Sequence, residues 1–285
     1  MKALSISGGS TKIGFLAGSA IELCKRNNYQ IITGISAGSV ISLLLAIDEF
    51  ELLEGSILPI DTPDFFKNEP LNDKNNIKIS AIWRILVGKT SLAEFTLSDL
   101  IRRIYTKEHH LKLQNSGKIV KVGAANLNLN QIEYCDISKV DYELAIKWVV
   151  ASSSIPVTAD LVKIGDYLYT DGGVLQHVGG LEAINSGATK LDVVFSRPEE
   201  MELSHDDINW SPKNILDVLF KTISIMSDNN SFNDKDIIEK TCLIKNIPLS
   251  IYYTPFKLTS GMYKMDSDLT KSWFELGREQ VLNKY

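Results

Sequence analysis

Two glycine-bearing turns, each set between a short apolar run and a longer helical pattern, fall within the first fifty residues of the chain. Residues 2–7 read as a buried strand, 8–14 as a Gly-rich turn, and 15–26 as a helix with Leu16, Ala20, Ile21, Leu23 and Cys24 on its apolar side. Residues 31–34 then read as a second strand and 39–50 as a strongly apolar second helix. Strand, turn, helix, strand, turn, helix is the opening of an α/β layer fold, because neighbouring parallel strands need a crossover long enough to hold a helix.

The rest of the chain continues in the same manner. Residues 55–75 carry Pro63, Pro70 and several Asn and Asp, and read as an irregular excursion. Residues 96–105 form a helical pattern in which Leu97, Leu100, Ile101 and Ile104 share a face while Arg102 and Arg103 point away. Strands are expected at 118–125 and 131–137, a helix at 142–153 ended by Pro156, and a hairpin at 161–169 turning at Gly165-Asp166. After Asp171-Gly172-Gly173 come a helix near 180–186, a strand at 191–196, and a mostly helical tail closing with 269–282. Without an internal repeat or a Gly/Ser/Pro-rich linker, residues 1–285 are expected to form one domain.

Composition excludes some classes. With 44% hydrophobic and 23% charged residues the chain has the makings of a core and is not disordered. A net charge of −5 argues against a nucleic-acid-binding surface. Cys24, Cys135 and Cys242 are odd in number and lack a Cys-x-x-Cys spacing, so neither a disulfide framework nor a zinc site is expected, and a reducing cytoplasm is the expected compartment. The apolar run at 3–6 is interrupted too early for a secretory leader, so the start of the chain reads as mature structure. No window approaches the roughly eighteen uninterrupted apolar residues of a membrane-spanning helix.

Three short motifs carry chemistry. Gly34-Ile35-Ser36-Ala37-Gly38 fits the G-x-S-x-G elbow and lies between a predicted strand and helix, where that motif must lie. The sharp turn holds the serine strained and leaves no room for side chains at Gly34 and Gly38. Gly8-Gly9-Ser10-Thr11-Lys12 precedes a helix, where unpaired backbone N–H groups can hold a phosphate or an oxyanion. The spacing of Gly8, Gly9 and Gly14 is not a dinucleotide fingerprint, and Gly88-Lys89-Thr90 lacks the first glycine of a Walker loop. Asp171 in Asp171-Gly172-Gly173 is either a turn former or a fixed carboxylate facing a site.

In this order the three motifs resemble the patatin-like phospholipase family. Leu97-Ser98-Asp99-Leu100, Ala124-Ala125-Asn126-Leu127, Ala151-Ser152-Ser153-Ser154-Ile155-Pro156 and Tyr169-Thr170-Asp171-Gly172-Gly173-Val174 are similar to further blocks of that family, so the resemblance spans about 2–197. It implies a three-layer α/β/α fold around a mostly parallel sheet and a lipid acyl hydrolase of the phospholipase A or lysophospholipase type. Ser36 would be the nucleophile, Asp171 its base, and the backbone N–H groups of Gly8, Gly9 and Ser10 the oxyanion hole, with no metal or cofactor. Ser10 stands where the family has a third glycine, and His177 where it has an asparagine after the D-G-G turn. His177 is expected to take that asparagine's structural place rather than complete a triad. His109, His110 and His205 are expected at the solvated surface.

Two other readings stay open: a non-catalytic or regulatory binding protein on the same fold, and an esterase or acyltransferase that never meets a bilayer. Residues 77–87 hold Ile79, Ile82, Trp83, Ile85, Leu86 and Val87, and are either an ordinary core helix or a lid or membrane-contact helix. Residues 74–121 hold ten basic and three acidic side chains within a chain that is acidic elsewhere. That block is the expected contact for an anionic membrane.

Overall fold

β1 (Lys2–Ile6) and β2 (Ile31–Ile35) pair in parallel, with α1 (Ile13–Arg26) as the crossover between them. The computed structural model describes residues 1–67, 69–72, 77–200, 208–258 and 265–284. His205 lies outside the described residues. After β2 come α2 (Ala37–Leu45), α3 (Phe50–Ile57), α4 (Thr62–Phe65), α5 (Ile79–Leu86), α6 (Leu97–Ile104) and α7 (Lys107–Asn115), before β3 (Ile119–Asn126) returns the chain to the sheet. β4 (Gln131–Asp136), α8 (Tyr142–Ser152), β5 (Val162–Ile164), β6 (Tyr167–Asp171), α9 (Gly180–Asn185) and β7 (Lys190–Val194) follow. The chain ends with α10 (Ile215–Lys245), β8 (Leu249–Tyr252) and α11 (Ser267–Leu282).

The strand order is β5-β6-β3-β2-β1-β7-β8, with β4 on the outer edge of β3. The stretch from β3 through β2, β1 and β7 to β8 is parallel. Antiparallel pairing is confined to the end that holds β4, β5 and β6. Helices cover both faces, giving the three-layer α/β/α architecture. Alternate residues of one strand therefore feed two cores: Leu4 and Ile32 join α1, α2 and α8 on one side, while Ala3 and Ile31 join α9 and α10 on the other.

The expected second helix is two helices. α2 begins directly after Ser36 and ends at Leu45, and Asp48, with φ 61°, separates it from α3. The tail is not wholly helical either, because Leu249–Tyr252 adds a parallel strand beside β7. α11 lies against α1 at backbone distance. A Cβ at Gly14, Gly18 or Gly277 would overlap the carbonyl oxygen of Thr270, Phe274 or Phe15 respectively, so this crossing needs glycine on both helices.

Two expectations about polar segments are corrected. His110 is a buried histidine: its Nε2 lies 2.8 Å from Val140 O and its Nδ1 3.2 Å from Tyr105 Oη. His109 is only partly exposed and caps α7, its Nδ1 accepting from the Thr106 N–H. Within the basic block, Arg84, Arg102, Lys112, Lys118 and Lys121 form ion pairs with Asp160, Glu143, Glu49, Asp48 and Glu182. All five acidic partners come from outside the block, so much of its excess charge is compensated at short range.

α5 is not a core helix. Only Ala81 is buried, while Ile79 is 84% exposed, Trp83 64% and Leu86 72%. Its inner side belongs to a small cluster with Phe66 and Phe220. No helix among the described residues is long and apolar enough to cross a membrane.

Candidate active site

Ser36 occupies the single position between β2 and α2, with φ 53° and ψ −122°. Such a conformation costs a non-glycine residue about 1–3 kcal/mol and persists only where the surroundings hold it. Here hydroxyls hold both of its peptide groups. The Ser36 N–H donates to Ser152 Oγ at 2.9 Å, and the Oγ atoms of Ser39 (2.6 Å) and Ser153 (3.1 Å) donate to Ser36 O. A Cβ at Gly34 would overlap Gly38 O and one at Gly38 would overlap Ile6 O, so neither position accepts a side chain. Ala37, buried, opens α2.

Asp171 closes β6 and is brought to Ser36 by the sheet. Its N–H donates to Ser154 O at 2.9 Å, so the same serine run that grips Ser36 also seats Asp171. Oδ1 accepts from the Gly173 N–H at 2.7 Å. Oδ2 is buried without a formed hydrogen bond among the described residues. The Ser36 side chain is nevertheless close enough to stabilise the carboxylate, an approach too loose to count as a formed bond, as is common before substrate binds. Burial pushes the Asp171 carboxyl up to about 6, with Ser36 and Gly173 pulling it back.

The glycine loop departs from expectation at one position. The Gly8 N–H donates to His177 O at 2.8 Å and so is not available to an oxyanion. The Gly9 N–H carries no hydrogen bond among the described residues, and Ser10 follows with φ 46° as the start of a short 3-10 turn. A left-handed φ is where a third glycine would rest without cost. Gly9 is therefore the loop residue whose N–H is unengaged among the described residues, and Ser10 is the other loop position that the sequence singles out.

His177 and Ser36 both border Gly8: a Cβ there would lie 3.4 Å from Ser36 Cβ and 3.5 Å from His177 Cε1. Its Nδ1 lies 3.0 Å from Ser227 Oγ and its Nε2 3.4 Å from Ser196 Oγ, and its ring stacks on Phe195. Burial, then Lys12 and Arg197, lower its pKa to about 3, so the ring is neutral. It makes no hydrogen bond to Ser36 or Asp171 among the described residues.

Two spaces meet at this point. One is an apolar slot of about 90 Å³, walled by residues such as Val40, Leu44, Leu53, Leu97 and Ile101. The other is a polar chamber of about 670 Å³ bounded by the glycine loop, Asp171, His177 and one side of α10. Ser10, Thr11, Ser36 and Ile155 line both. Among the described residues no cluster of His, Cys, Asp and Glu is placed to hold a metal ion.

A sequence profile described as patatin-like phospholipase matches residues 4–183, more than half of the chain. The chain belongs to the patatin-like phospholipase family. Membership points to lipid acyl hydrolase chemistry. No curated protein sequence matches it. Among solved structures, the crystal structure of VipD from Legionella pneumophila aligns over 99% of this chain and 66% of that one, with a TM-score of 0.44 and 11% identity.

In this patatin-like chain the sequence motifs missed the groups that hold the site together. Ser152, Ser153 and Ser154 were visible as a block, but their roles as clamps on Ser36 and Asp171 were not. α10, beyond the matched region, holds the turn after Asp171. Asn230 Nδ2 donates to Gly173 O (3.1 Å) and Val174 O (2.9 Å), and Asp234 Oδ2 accepts from the N–H groups of His177 (2.6 Å) and Val178 (3.0 Å). Burial pushes the Asp234 carboxyl up to about 6, while these backbone donors act in the opposite direction.

Proposed function

We propose that this protein is a serine acyl hydrolase acting on lipid esters through a Ser36–Asp171 dyad. The observation that carries the reading is the position of Ser36 at the seam between an apolar slot and a polar chamber, with a buried carboxylate beside it. An ester with a long acyl chain fits that division: chain in the slot, carbonyl at Ser36, alcohol in the chamber. Asp171 accepts the Ser36 proton as Oγ attacks the carbonyl carbon, and the N–H groups of Gly9 and Ser10 stabilise the tetrahedral oxyanion. The alcohol leaves with the proton, and water then releases the acyl group as the free acid.

α5 supports action at a membrane surface. Its exposed Ile79, Trp83 and Leu86 lie beside Lys78 and Lys89, and its inner side packs with Phe66 of the slot and Phe220 of the chamber. Because half of the basic block is already paired, apolar insertion carries more of this contact than charge does. We further propose that residues 1–285 form one domain, since β8 and α11 complete the sheet and the helical layer, and that the protein works in a reducing cytoplasm, which suits its three unpaired cysteines.

A second reading, a binding protein without turnover, draws on the strained Ser10 and the occupied Gly8 N–H. A fluorophosphonate probe separates the two. Labelling that Ser36→Ala abolishes, together with free fatty acid released from a mixed lipid panel, is expected. An intact protein that takes no label favours the binding reading.

A further inference from the structure

The carbonyl of Gly8 and the N–H of Gly9 belong to one peptide group. That peptide is trans, so the two bonds point in opposite directions and whatever holds the oxygen also aims the N–H. Two buried hydroxyls hold the oxygen. Ser7 Oγ donates to Gly8 O at 2.8 Å, and Ser196 Oγ donates to it at 2.6 Å. A carbonyl oxygen has two lone pairs, and here each has a donor.

The sheet brings these hydroxyls together. β1 and β7 pair in parallel with Ile6 beside Val194, so Ser7 and Ser196 emerge from adjacent strand ends. The Ser196 N–H donates to Ser7 Oγ at 3.0 Å, which ties one serine to the other. The single proton of Ser196 Oγ goes to Gly8 O, so His177 Nε2, 3.4 Å away, faces a lone pair of that hydroxyl and is the protonated ring nitrogen. Nδ1 then accepts from Ser227 Oγ at 3.0 Å. The neutral ring thereby turns the Ser196 hydroxyl towards Gly8 O. Other peptide groups of the loop are engaged as well: the Ser7 N–H donates to Val194 O, the Gly8 N–H to His177 O and the Lys12 N–H to Gly9 O. Of the N–H groups of Ser7, Gly8 and Gly9, only that of Gly9 has no acceptor among the described residues. It lies on the side of its peptide away from the two hydroxyls, in a loop that lines the chamber together with Ser36.

We propose that Ser7 and Ser196 are positioning residues for acyl transfer: their hydroxyls clamp the Gly8–Gly9 peptide and so aim and strengthen the Gly9 N–H that receives the oxyanion. The proposal rests on the acyl-hydrolase reading and adds to it two residues that act through a peptide group rather than on the reacting atoms. Hydrogen bonds accepted by the carbonyl draw electron density towards its oxygen and leave the amide proton more positive. The oxyanion forms only as Ser36 attacks, so a clamp on its donor acts on the transition state and leaves ester binding alone. Ser196 lies beyond the matched region at 4–183, so the motifs could not reveal it.

The test measures kcat and KM for ester hydrolysis together with the Ki of a long-chain trifluoromethyl ketone. On that ketone Ser36 Oγ adds to the carbonyl carbon, Asp171 takes the Ser36 proton, and the negative oxygen stays in the hole. A primary alcohol of the same chain length is the ground-state control. Ser7→Ala and Ser196→Ala are each expected to lower kcat about tenfold with KM within about twofold, and the double variant about a hundredfold, the scale of losing one oxyanion donor. The Ki of the ketone should weaken by the same factors while that of the alcohol stays unchanged. Ser196→Cys keeps the volume but donates poorly and should resemble Ser196→Ala, whereas Ser196→Thr keeps the hydroxyl and should recover most of kcat. The rise of log kcat/KM to about pH 6, set by Asp171, should stay in place in every variant. Ketone and alcohol weakened together would mean a merely structural role and overturns the proposal, as does wild-type kcat in the double variant. If Ser196→Ala does not fold, Ser7→Ala and Ser196→Cys decide by the same readings. Failure of the acyl-hydrolase reading looks different: wild type itself cleaves no ester and Ser36 takes no fluorophosphonate, which overturns both, whereas an active wild type with unaltered variants overturns the clamp alone.

Discussion

The slot and the chamber on either side of Ser36 are built from different stretches of chain and by different physics. The slot is walled by α2, α3 and α6, whose apolar residues repeat at helical spacing and exclude water without regard to detail. The chamber takes one wall from the glycine loop and another from α10, where Lys221, Ser224, Ser227 and Asp228 present individual polar groups at individual positions. A greasy wall tolerates exchange of one carbon side chain for another, whereas a polar wall loses its meaning when a single group moves. Chain length should therefore be read loosely and the alcohol strictly.

The comparison breaks outright if the seam is not where bond cleavage occurs. Ser36→Ala is expected to lower hydrolysis of every acyl ester by roughly 10⁴-fold or more, whatever occupies the slot or chamber, as measured by fatty-acid release. Residual turnover near that of wild type would place the chemistry elsewhere. Asp171→Asn is the next largest, a loss of about 10²–10⁴-fold. The sign of the pH dependence follows from its raised pKa. Below about pH 6 the folded protein holds Asp171 protonated, and it cannot accept the Ser36 proton. A plot of log kcat/KM should climb to about pH 6 and level off above it, and residual activity in Asp171→Asn should lose that rise.

Smaller changes sharpen the difference between the two spaces. Val40→Phe narrows the slot and should shift the preference from long to short acyl chains by about tenfold, with little change in how the alcohol is discriminated. A shift in alcohol preference instead would mean that the two spaces are not separate. His177→Asn should change activity the least, within about tenfold, because the ring bonds to Ser227 and Ser196 rather than to the dyad. A loss as large as that of Asp171→Asn would make the histidine a third catalytic member.

Ser36 and Asp171 were legible because the elbow imposes its residue types on a contiguous string: Gly34 and Gly38 have no room for a Cβ, and the strand pairing of β3 with β6 delivers Asp171 to the adjacent strand end. The Gly8 error has the opposite origin. Whether an N–H is free depends on its partner, and His177 O is distant in sequence. His110 was misplaced for a related reason, since its polar neighbours along the chain say nothing of Tyr105 and Val140 around it in space. β8 escaped because Leu249–Tyr252 is too short to show a period of two, and it forms beside β7 only once that strand is there to pair with. The chamber escaped because the inward side of α10 is written in Ser, Asp and Lys, which from sequence alone read as a solvated surface.

The glycine contact between α1 and α11 also sets an order in time. α1 carries the glycine loop at its start, and its final bearing depends on Thr270, Phe274 and Gly277, which leave the ribosome long after Ser36. At translation speeds of about 5–20 residues per second, the glycine loop waits roughly ten seconds to a minute for the helix that braces α1 behind it. Newly made protein is thus expected to pass through synthesis without ester-cleaving competence. Ribosome-held chains that stop before α11 should take up no fluorophosphonate at Ser36, and labelling of such chains would show that the brace is dispensable.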